Sequence, residues 1–212
     1  MKKILTLICT LLCANVLIAQ TRFWVGDIQY EITSTNPAEV EVNVANSSIT
    51  TANIPSTVTY QGTTYSVTSI RQYSFENCSS LTSVSIPNSV TSIETRAFKG
   101  CSSLRYVTIG NSITSIGDKA FYGCDILTLN FNAINCSNFS YNVDGNGVAY
   151  HPFAYCFIKT INIGDSVQII PKHFAYNSDS LTSVTIGNSV TSIGESAFYN
   201  CSSLSSVTIP DS

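Results

Sequence analysis

The chain has 212 residues, of which 44% are hydrophobic and only 11% are charged, and its formal net charge is −3. This composition excludes a disordered acidic tail and a basic nucleic-acid-binding protein. A globular chain carries about 25% charged residues, so the polar surface of this one must consist mainly of Ser, Thr and Asn.

Residues 1–19 have the layout of a secretory signal peptide. Lys2 and Lys3 precede an uncharged apolar run that ends at Ala19. The run is shorter than the roughly 20 residues that span a bilayer, so we predict export with cleavage after Ala19 and no membrane insertion of the mature chain. The alternative is a lipoprotein acylated at Cys9 or Cys13, although neither cysteine follows a small residue. The expected location is secreted or at the bacterial cell surface.

Residues 20–64 show the alternation and turn signals of β-hairpins. RFWV is followed by Gly26-Asp27 and IQYEI, and TVTY is followed by Gln61-Gly62 and TTYSV. Alternating strands joined by short turns that contain glycine are typical of hairpins. We predict an N-terminal β cap that shields an otherwise open sheet edge, with Trp24 in its core.

Residues 65–212 are built from a 23-residue repeat. Copies align at 81–103, 104–126 and 181–203, with a degenerate copy at 158–180, the back half of a copy at 65–80 and an incomplete copy at 204–212. In each copy the apolar residues fall at positions 1, 4, 6, 10, 13, 17, 18 and 21. One unit cannot bury such a face alone, so the copies must stack into a solenoid with continuous parallel strands.

Each copy predicts one rung of this mainly β solenoid. Positions 4 and 6 indicate a strand, positions 10–13 run back along the opposite face, and the A-F-x-x-C stretch closes the coil as a turn or short helical segment. The predicted core ladder comprises Cys78, Cys101, Cys124, Cys201, Phe75, Phe98, Phe121 and Phe198.

Six cysteines remain after leader removal, and an even number in an oxidising compartment suggests disulfides. The repeat spacing instead favours buried thiols that bond the turn backbone, because parallel Cβ vectors on stacked rungs hold the sulfurs apart. Cys136 and Cys156 flank the irregular rung and are the expected pair if any disulfide forms.

The pattern LxxVxIxxxVxxIgxxAFxxC resembles the BspA-like, Treponema-type branch of the leucine-rich-repeat proteins. The resemblance implies a right-handed leucine-rich-repeat coil. It also implies the family's usual association with adhesion to host proteins or other cells.

The rung at 126–157 is irregular, because an insertion delays the F-x-x-C signature to Phe153. A one-residue slip in its strand is expected to turn Leu129 and Phe131 inward. Within the insertion, Asn142, Asp144 and Asn146 match the first half of a calcium loop, but Phe153 stands where the bidentate Glu is needed. A plain Asp-Gly/Asn-Gly turn is therefore the favoured interpretation.

No catalytic, metal or cofactor site is predicted. The two histidines, His151 and His173, lack a ligand-type spacing, and no G-x-S-x-G segment is present. The chain is therefore interpreted as not being an enzyme, and activity lost on replacing either histidine would argue against this.

Positions 3 and 5 of each strand point outward and form two polar rows. The rows are Ser83, Tyr106, Thr128, Thr160, Ser183, Ser206 and Ser85, Thr108, Asn130, Asn162, Thr185, Thr208. The binding candidates are Arg105, Tyr106, Thr108, Thr128, Asn130, Thr160 and Asn162 on this face, and Asp144, Asn146 and Tyr150 in the insertion. The alternative is a plain solvated face. A second exposed aromatic line is expected from Tyr122, Tyr155, Tyr176 and Tyr199 in the turns.

These observations favour a secreted or cell-surface binding protein that adheres to host extracellular proteins, glycans or other cells. The expected partner is an extracellular protein or glycan, not a nucleic acid. The alternative is a structural spacer or stalk in a larger surface protein, suggested by the ending within a repeat.

Overall fold

The structure is a computed structural model that describes residues 21–139, 142–143, 149–205 and 207–210; the predicted leader lies outside this part. The described residues form nineteen strands. In chain order they are β1 Arg22–Val25, β2 Ile28–Thr35, β3 Ala38–Ala45, β4 Thr51–Asn53, β5 Thr57–Tyr60, β6 Thr63–Ile70, β7 Ser83–Ser85, β8 Ser92–Ile93, β9 Tyr106–Ile109, β10 Ser115–Ile116, β11 Thr128–Phe131, β12 Asn138–Phe139, β13 Asn142–Val143, β14 Ala149–Tyr150, β15 Thr160–Ile163, β16 Ile169–Ile170, β17 Ser183–Thr185, β18 Ser192–Ile193 and β19 Val207–Thr208.

The repeats stack into two main sheets on opposite sides of one core. The first, which we call the front sheet, has the order β4-β7-β9-β11-β15-β17-β19, and its strands are all parallel. The second, the back sheet, has the order β1-β2-β3-β6-β8-β10-β12, with β5 also paired to β6, and a separate pair β16-β18 follows. The predicted solenoid with parallel strands is confirmed.

Six turns close the rungs, at 73–78, 96–101, 119–124, 151–156, 173–178 and 196–201. The described residues contain no helix, so of the two predicted alternatives for the A-F-x-x-C stretch the structure has the turn. The backbone departs from helical geometry at position 20, where Asn77 and Tyr155 both have a φ of about 60°. A left-handed residue at this position ends any helical turn and sends the chain into the next strand. No segment within the described ranges is a helix able to cross a membrane.

The core is a column of side chains repeated rung by rung. Phe75, Phe98, Phe121 and Phe153 stack with nearly parallel rings whose centroids lie 4.7, 5.0 and 5.1 Å apart. The predicted ladder is buried, apart from its last members. Phe198 and Cys201 are only partly buried, because only the short β19 lies beyond them in the described chain.

Threonine side chains add a second set of bonds between rungs. Thr91 Oγ1 donates to the Thr68 carbonyl and Thr114 Oγ1 to the Thr91 carbonyl, each at 3.2 Å. Thr182 repeats the arrangement on the front side, with 3.1 Å to the Lys159 carbonyl. The high threonine content of the repeat therefore stabilises stacking as well as covering the surface.

Both predicted hairpins are present in the N-terminal region. β1 pairs with β2 across Gly26-Asp27, and β5 pairs with β6 across Gln61-Gly62, where both turn residues have positive φ. β6 extends across residue 64, the predicted boundary between the cap and the repeats, and it pairs with both β3 and β8. The hairpin region and the solenoid therefore share the back sheet.

Trp24 does not lie in the cap core. It is 52% exposed, whereas its neighbour Phe23 is buried and stacks on Tyr60 at 4.3 Å. Strand alternation explains the error, because only one of two consecutive residues can face inward.

A charged cluster fixes this region to the first rung. Arg71 bonds Glu31 at 2.7 Å and Glu41 at 3.3 Å, and Arg22 also contacts Glu31 at 2.8 Å. Glu31 is almost fully buried and is therefore stabilised by both guanidinium groups.

The cysteine column consists of thiols. Cys78, Cys101, Cys124, Cys156 and Cys201 are free, as the repeat spacing favours, and Cys156 therefore forms no disulfide with Cys136 in this structure. Burial raises the pKa of the Cys78 thiol to about 11. Hydrogen bonding to Cys124 and burial also raise the pKa of Cys101 well above its ordinary value.

Candidate functional site

The outward rows of the front sheet are aligned across the rungs. Thr128 lies opposite Tyr106 on one side and Thr160 on the other, and Asn130 lies opposite Thr108 and Asn162 in the same way. The predicted slip is confirmed, because Leu129 and Phe131 are fully buried while Asn130 faces outward. Ser206 lies outside the described residues, and the other predicted members of both rows occur in the described chain.

Part of the second row is already hydrogen-bonded within the sheet. Asn162 Nδ2 donates to Asn130 Oδ1 at 2.9 Å, and Asn130 Nδ2 donates to Thr108 Oγ1 at 3.3 Å. This amide ladder holds the three side chains in one orientation. It leaves an ordered, uncharged polar surface rather than a set of independent side chains.

Tyr106 is the most prominent side chain of the front face, with 53% of its surface exposed. The neighbouring Arg105 is held at the strand start by the Ser102 and Asp125 carbonyls, at 3.0 and 2.9 Å. Its guanidinium also pairs with the Asp125 carboxylate at 3.2 Å. Arg105 is thus positioned in advance, although its charge is partly satisfied.

Phe157 was missed by sequence reasoning and lies beside Arg105. It is 65% exposed, and with Leu127 and Lys159 it borders a cavity of about 570 Å³. The available signal is the repeat itself, since position 22 is Ser79, Ser102, Asp125, Asp179 or Ser202 in the other copies. An aromatic residue in a register of small polar residues indicates a local function rather than packing.

The insertion in the fourth rung begins after Phe139 and contains the antiparallel pair β13-β14. Tyr150 ends this pair, and its ring lies 3.4 Å below the Lys119 ammonium. Asp144 and Asn146 lie outside the described residues. They are predicted binding residues and also two of the three calcium candidates. Asn142 belongs to β13.

The two histidines are separate from any metal-type cluster. The described part of the chain contains no group of three or more His, Cys, Asp or Glu residues arranged to hold a metal ion. His151 is buried under the fourth turn, and burial lowers its pKa to about 4.

The turn tyrosines form two pairs rather than one continuous line. Tyr122 and Tyr155 lie 5.1 Å apart, and Tyr176 stacks on Tyr199 at 5.1 Å. Tyr155 and Tyr199 are well exposed, so the turns carry a second aromatic surface beside the front sheet.

Comparison with known proteins identifies the repeat. Residues 68–143 and 146–212 match the model of the BspA type leucine-rich-repeat region, in six copies. The chain belongs to the BspA-type leucine-rich-repeat family. No curated protein matches this BspA-type chain.

Solved structures support the fold of this BspA-type protein. A leucine-rich-repeat protein from Bacteroides capillosus is 27% identical with a TM-score of 0.56, and the match covers 68% of this chain and 99% of that one. The T. pallidum leucine-rich-repeat protein is 23% identical with a TM-score of 0.54, over 90% and 72% of the two chains. A leucine-rich cell surface protein from Faecalibacterium prausnitzii is 22% identical with a TM-score of 0.51, and the match covers 89% of this chain and 54% of that one. This chain therefore spans about half the length of that relative.

Proposed function

We propose that this protein is a secreted or cell-surface binding module, without enzymatic activity, that adheres to extracellular proteins, glycans or other cells through the front sheet. The observation that carries the proposal is the ordered, uncharged outer face of that sheet, centred on the half-exposed Tyr106. Export is supported by the layout of residues 1–19. A surface location is supported by the similarity to the Faecalibacterium protein, which is described as a cell surface protein.

The face suits an extended partner better than a compact one. Its rows repeat at the spacing of stacked strands, about 4.8 Å, so a partner with a regular repeat meets outward polar side chains at the same interval. Thr128 and Thr160 offer hydroxyls in one row, while Asn130 and Asn162 offer amides in the other. Such surfaces give specificity through hydrogen bonds, and affinity comes from a few aromatic or Arg anchors.

Tyr106 is the proposed anchor, with Arg105 and Phe157 beside it. Tyr and Arg dominate binding energy at interfaces because they present a large rigid surface together with hydrogen-bonding groups. Arg105 and Phe157 border the same cavity, so the anchor region extends from the strand start towards the fourth turn.

The proposal is tested by a capture screen on immobilised extracellular-matrix proteins, mucins and a glycan array at physiological salt. The variant Tyr106→Thr introduces the residue that the next two rungs carry in the same row, at Thr128 and Thr160, so it should keep the fold. Trp24→Thr is the matched control, because Trp24 is a strand aromatic with nearly the same exposure, 52% against 53%.

We expect saturable capture that is weakened at least about tenfold by Tyr106→Thr and not by Trp24→Thr. Absence of capture by a demonstrably folded sample would contradict the proposal and favour a structural spacer.

A further inference from the structure

The backbone ladder that joins successive turns changes between the fourth and fifth turns. In the first, second and fifth turns, the amide at position 20 donates to the carbonyl at position 19 of the next rung, as from Gly100 to Tyr122 and from Asn177 to Tyr199, both at 2.9 Å. At the fourth turn, the imidazole Nε2 of His151 lies 3.1 Å from the Tyr176 carbonyl oxygen. A side chain thus bonds the carbonyl that a backbone amide bonds in those three turns.

A cavity of about 600 Å³ opens at this junction, and we call it the turn cavity. Its volume lies in the range of small-molecule sites, about 300–1,000 Å³. Residues of the fourth, fifth and sixth turns line it together. Those that matter for recognition are His151, Tyr155, Tyr176, Asn177, Asp179 and Asn200.

His151 lines the turn cavity with a neutral ring. A carbonyl oxygen can only accept, so Nε2 carries the hydrogen and Nδ1 is the acceptor nitrogen of the neutral ring. Nδ1 is buried and has no hydrogen-bond partner among the described residues. Burial lowers the pKa of His151 to about 4, so the ring stays neutral at physiological pH. The ring therefore adds no charge to the lining of the cavity.

The walls combine aromatic faces with oxygen and amide groups. Tyr155 is 59% exposed on one side, and Tyr176 is held on the other by stacking on Tyr199. Asn200 Nδ2 donates to Asn177 Oδ1 at 3.2 Å, which orients both amides at the rim. Asp179 adds an exposed carboxylate. The described residues that line the cavity include no Lys or Arg, which disfavours phosphate, sulfate or carboxylate ligands.

We propose that the turn cavity binds one pyranose ring of a neutral saccharide. Such a ring has an apolar C–H face that packs on tyrosine, and a rim of hydroxyls that donate to a carboxylate and accept from amides. The ring also fits the available volume. The site lies on the turns rather than on the front sheet, so it goes beyond the proposed function and does not depend on Tyr106.

The test is calorimetric titration of purified protein, expressed from the full chain, with D-glucose, D-galactose, D-mannose and N-acetyl-D-glucosamine. Tyr155→Asn removes one aromatic wall and introduces the residue that other turns carry at this left-handed position, where Asn177 and Asn200 also have positive φ. Asp179→Asn removes the carboxylate at the rim. Tyr106→Thr is the matched control on the front sheet.

We expect saturable binding of at least one of the four sugars, with a Kd of about 1 mM. Tyr155→Asn and Asp179→Asn should each weaken it about tenfold, and Tyr106→Thr should leave it unchanged. Binding of none of the four sugars by folded protein at tens of millimolar would overturn the proposal, as would unchanged binding by both turn variants.

A second arm identifies the source of the sugar. If the free sugar displaces the protein from immobilised mucin, the site takes sugars carried by glycoproteins; if it binds without displacing, the site takes free saccharides. Both results require the turn cavity. Failure of the sugar titration leaves the front-sheet capture experiment intact, so the two proposals fail separately.

Discussion

The thiol of Cys124 donates a hydrogen bond, at 3.2 Å, to the backbone carbonyl of Phe98 in the preceding rung. Cys101 makes the same bond to the Phe75 carbonyl at 3.1 Å, and Cys156 bonds the Phe121 carbonyl. One residue type thus fills the space beside the phenylalanine stack and also satisfies a turn carbonyl. This double role explains why cysteine recurs at position 21 without forming disulfides in this column.

The phenylalanine stack should carry much of the stability. Phe121 lies between Phe98 and Phe153 and is fully buried. Phe121→Ala should therefore lower the free energy of unfolding by about 3–5 kcal/mol, because it removes an aromatic ring and leaves a cavity. Urea denaturation measures this change. Phe157→Ala is the control, since that ring is largely exposed, and an equal loss in both variants would contradict the assigned core.

The cysteine column should resist alkylation in the native state. Burial raises the pKa of Cys124 well above its ordinary value, and the reactive thiolate is correspondingly scarce. Iodoacetamide at pH 8 should leave Cys101 and Cys124 unmodified in folded protein and label both in urea, as mass spectrometry of peptides can show. Labelling of Cys156 in urea without a reductant should also occur, and its absence would indicate a disulfide.

His151 should make the protein less stable in mild acid. Burial lowers its pKa in the folded state to about 4, against 6.5 for the ordinary group. The unfolded chain therefore binds the proton first, and stability falls as the pH drops from about 6.5 towards 4. The total effect is about 3 kcal/mol at 1.36 kcal/mol per pKa unit.

The measurement is the difference in unfolding free energy between wild type and His151→Gln from pH 7.5 to 4. The difference removes contributions of carboxylates such as Glu41, whose pKa burial raises in both proteins. Parallel pH profiles for the two proteins would show that His151 is not buried as described.

The charged cluster around Glu31 should be more important than surface ion pairs. Arg71→Met leaves the nearly buried Glu31 with Arg22 alone and should cost about 1–3 kcal/mol of stability. Lys172→Met is the matched control, because its partner Glu195 lies 3.5 Å away and both side chains are about 70% exposed. That change should stay within about 0.5 kcal/mol. A similar melting temperature for both variants would contradict this ranking.

Much of the fold follows from the repeat. Apolar positions spaced identically in several copies define which side chains face inward, and this holds even in the irregular rung, where Leu129 takes the place beside Val107. Trp24 was misplaced because composition favours a buried tryptophan, whereas the alternation with Phe23 decides the face.

The candidate site was harder to predict from the sequence than the fold. The front-face rows follow from strand alternation, but the turn cavity depends on how three successive turns meet. His151 stands at position 16 of its copy. Lys119 and His173 occupy the same position and have positive φ, whereas the His151 side chain is buried under the turn. No periodic pattern encodes such a departure, because it arises from contacts between one irregular copy and its neighbour.

The most direct test of the central claim places a charge on each sheet in turn. Thr128 lies in the middle strand of the front sheet and Ser115 in β10, the second-last strand of the back sheet, and both are half-buried strand residues. The dissociation constant for a captured matrix protein or mucin is measured for Thr128→Lys and Ser115→Lys. We predict that Thr128→Lys raises it at least about tenfold, because a lysine on the uncharged face must be desolvated without a partner, while Ser115→Lys leaves it unchanged. Equal affinity for wild type and Thr128→Lys, or an equal loss in both variants, would contradict binding through the front sheet.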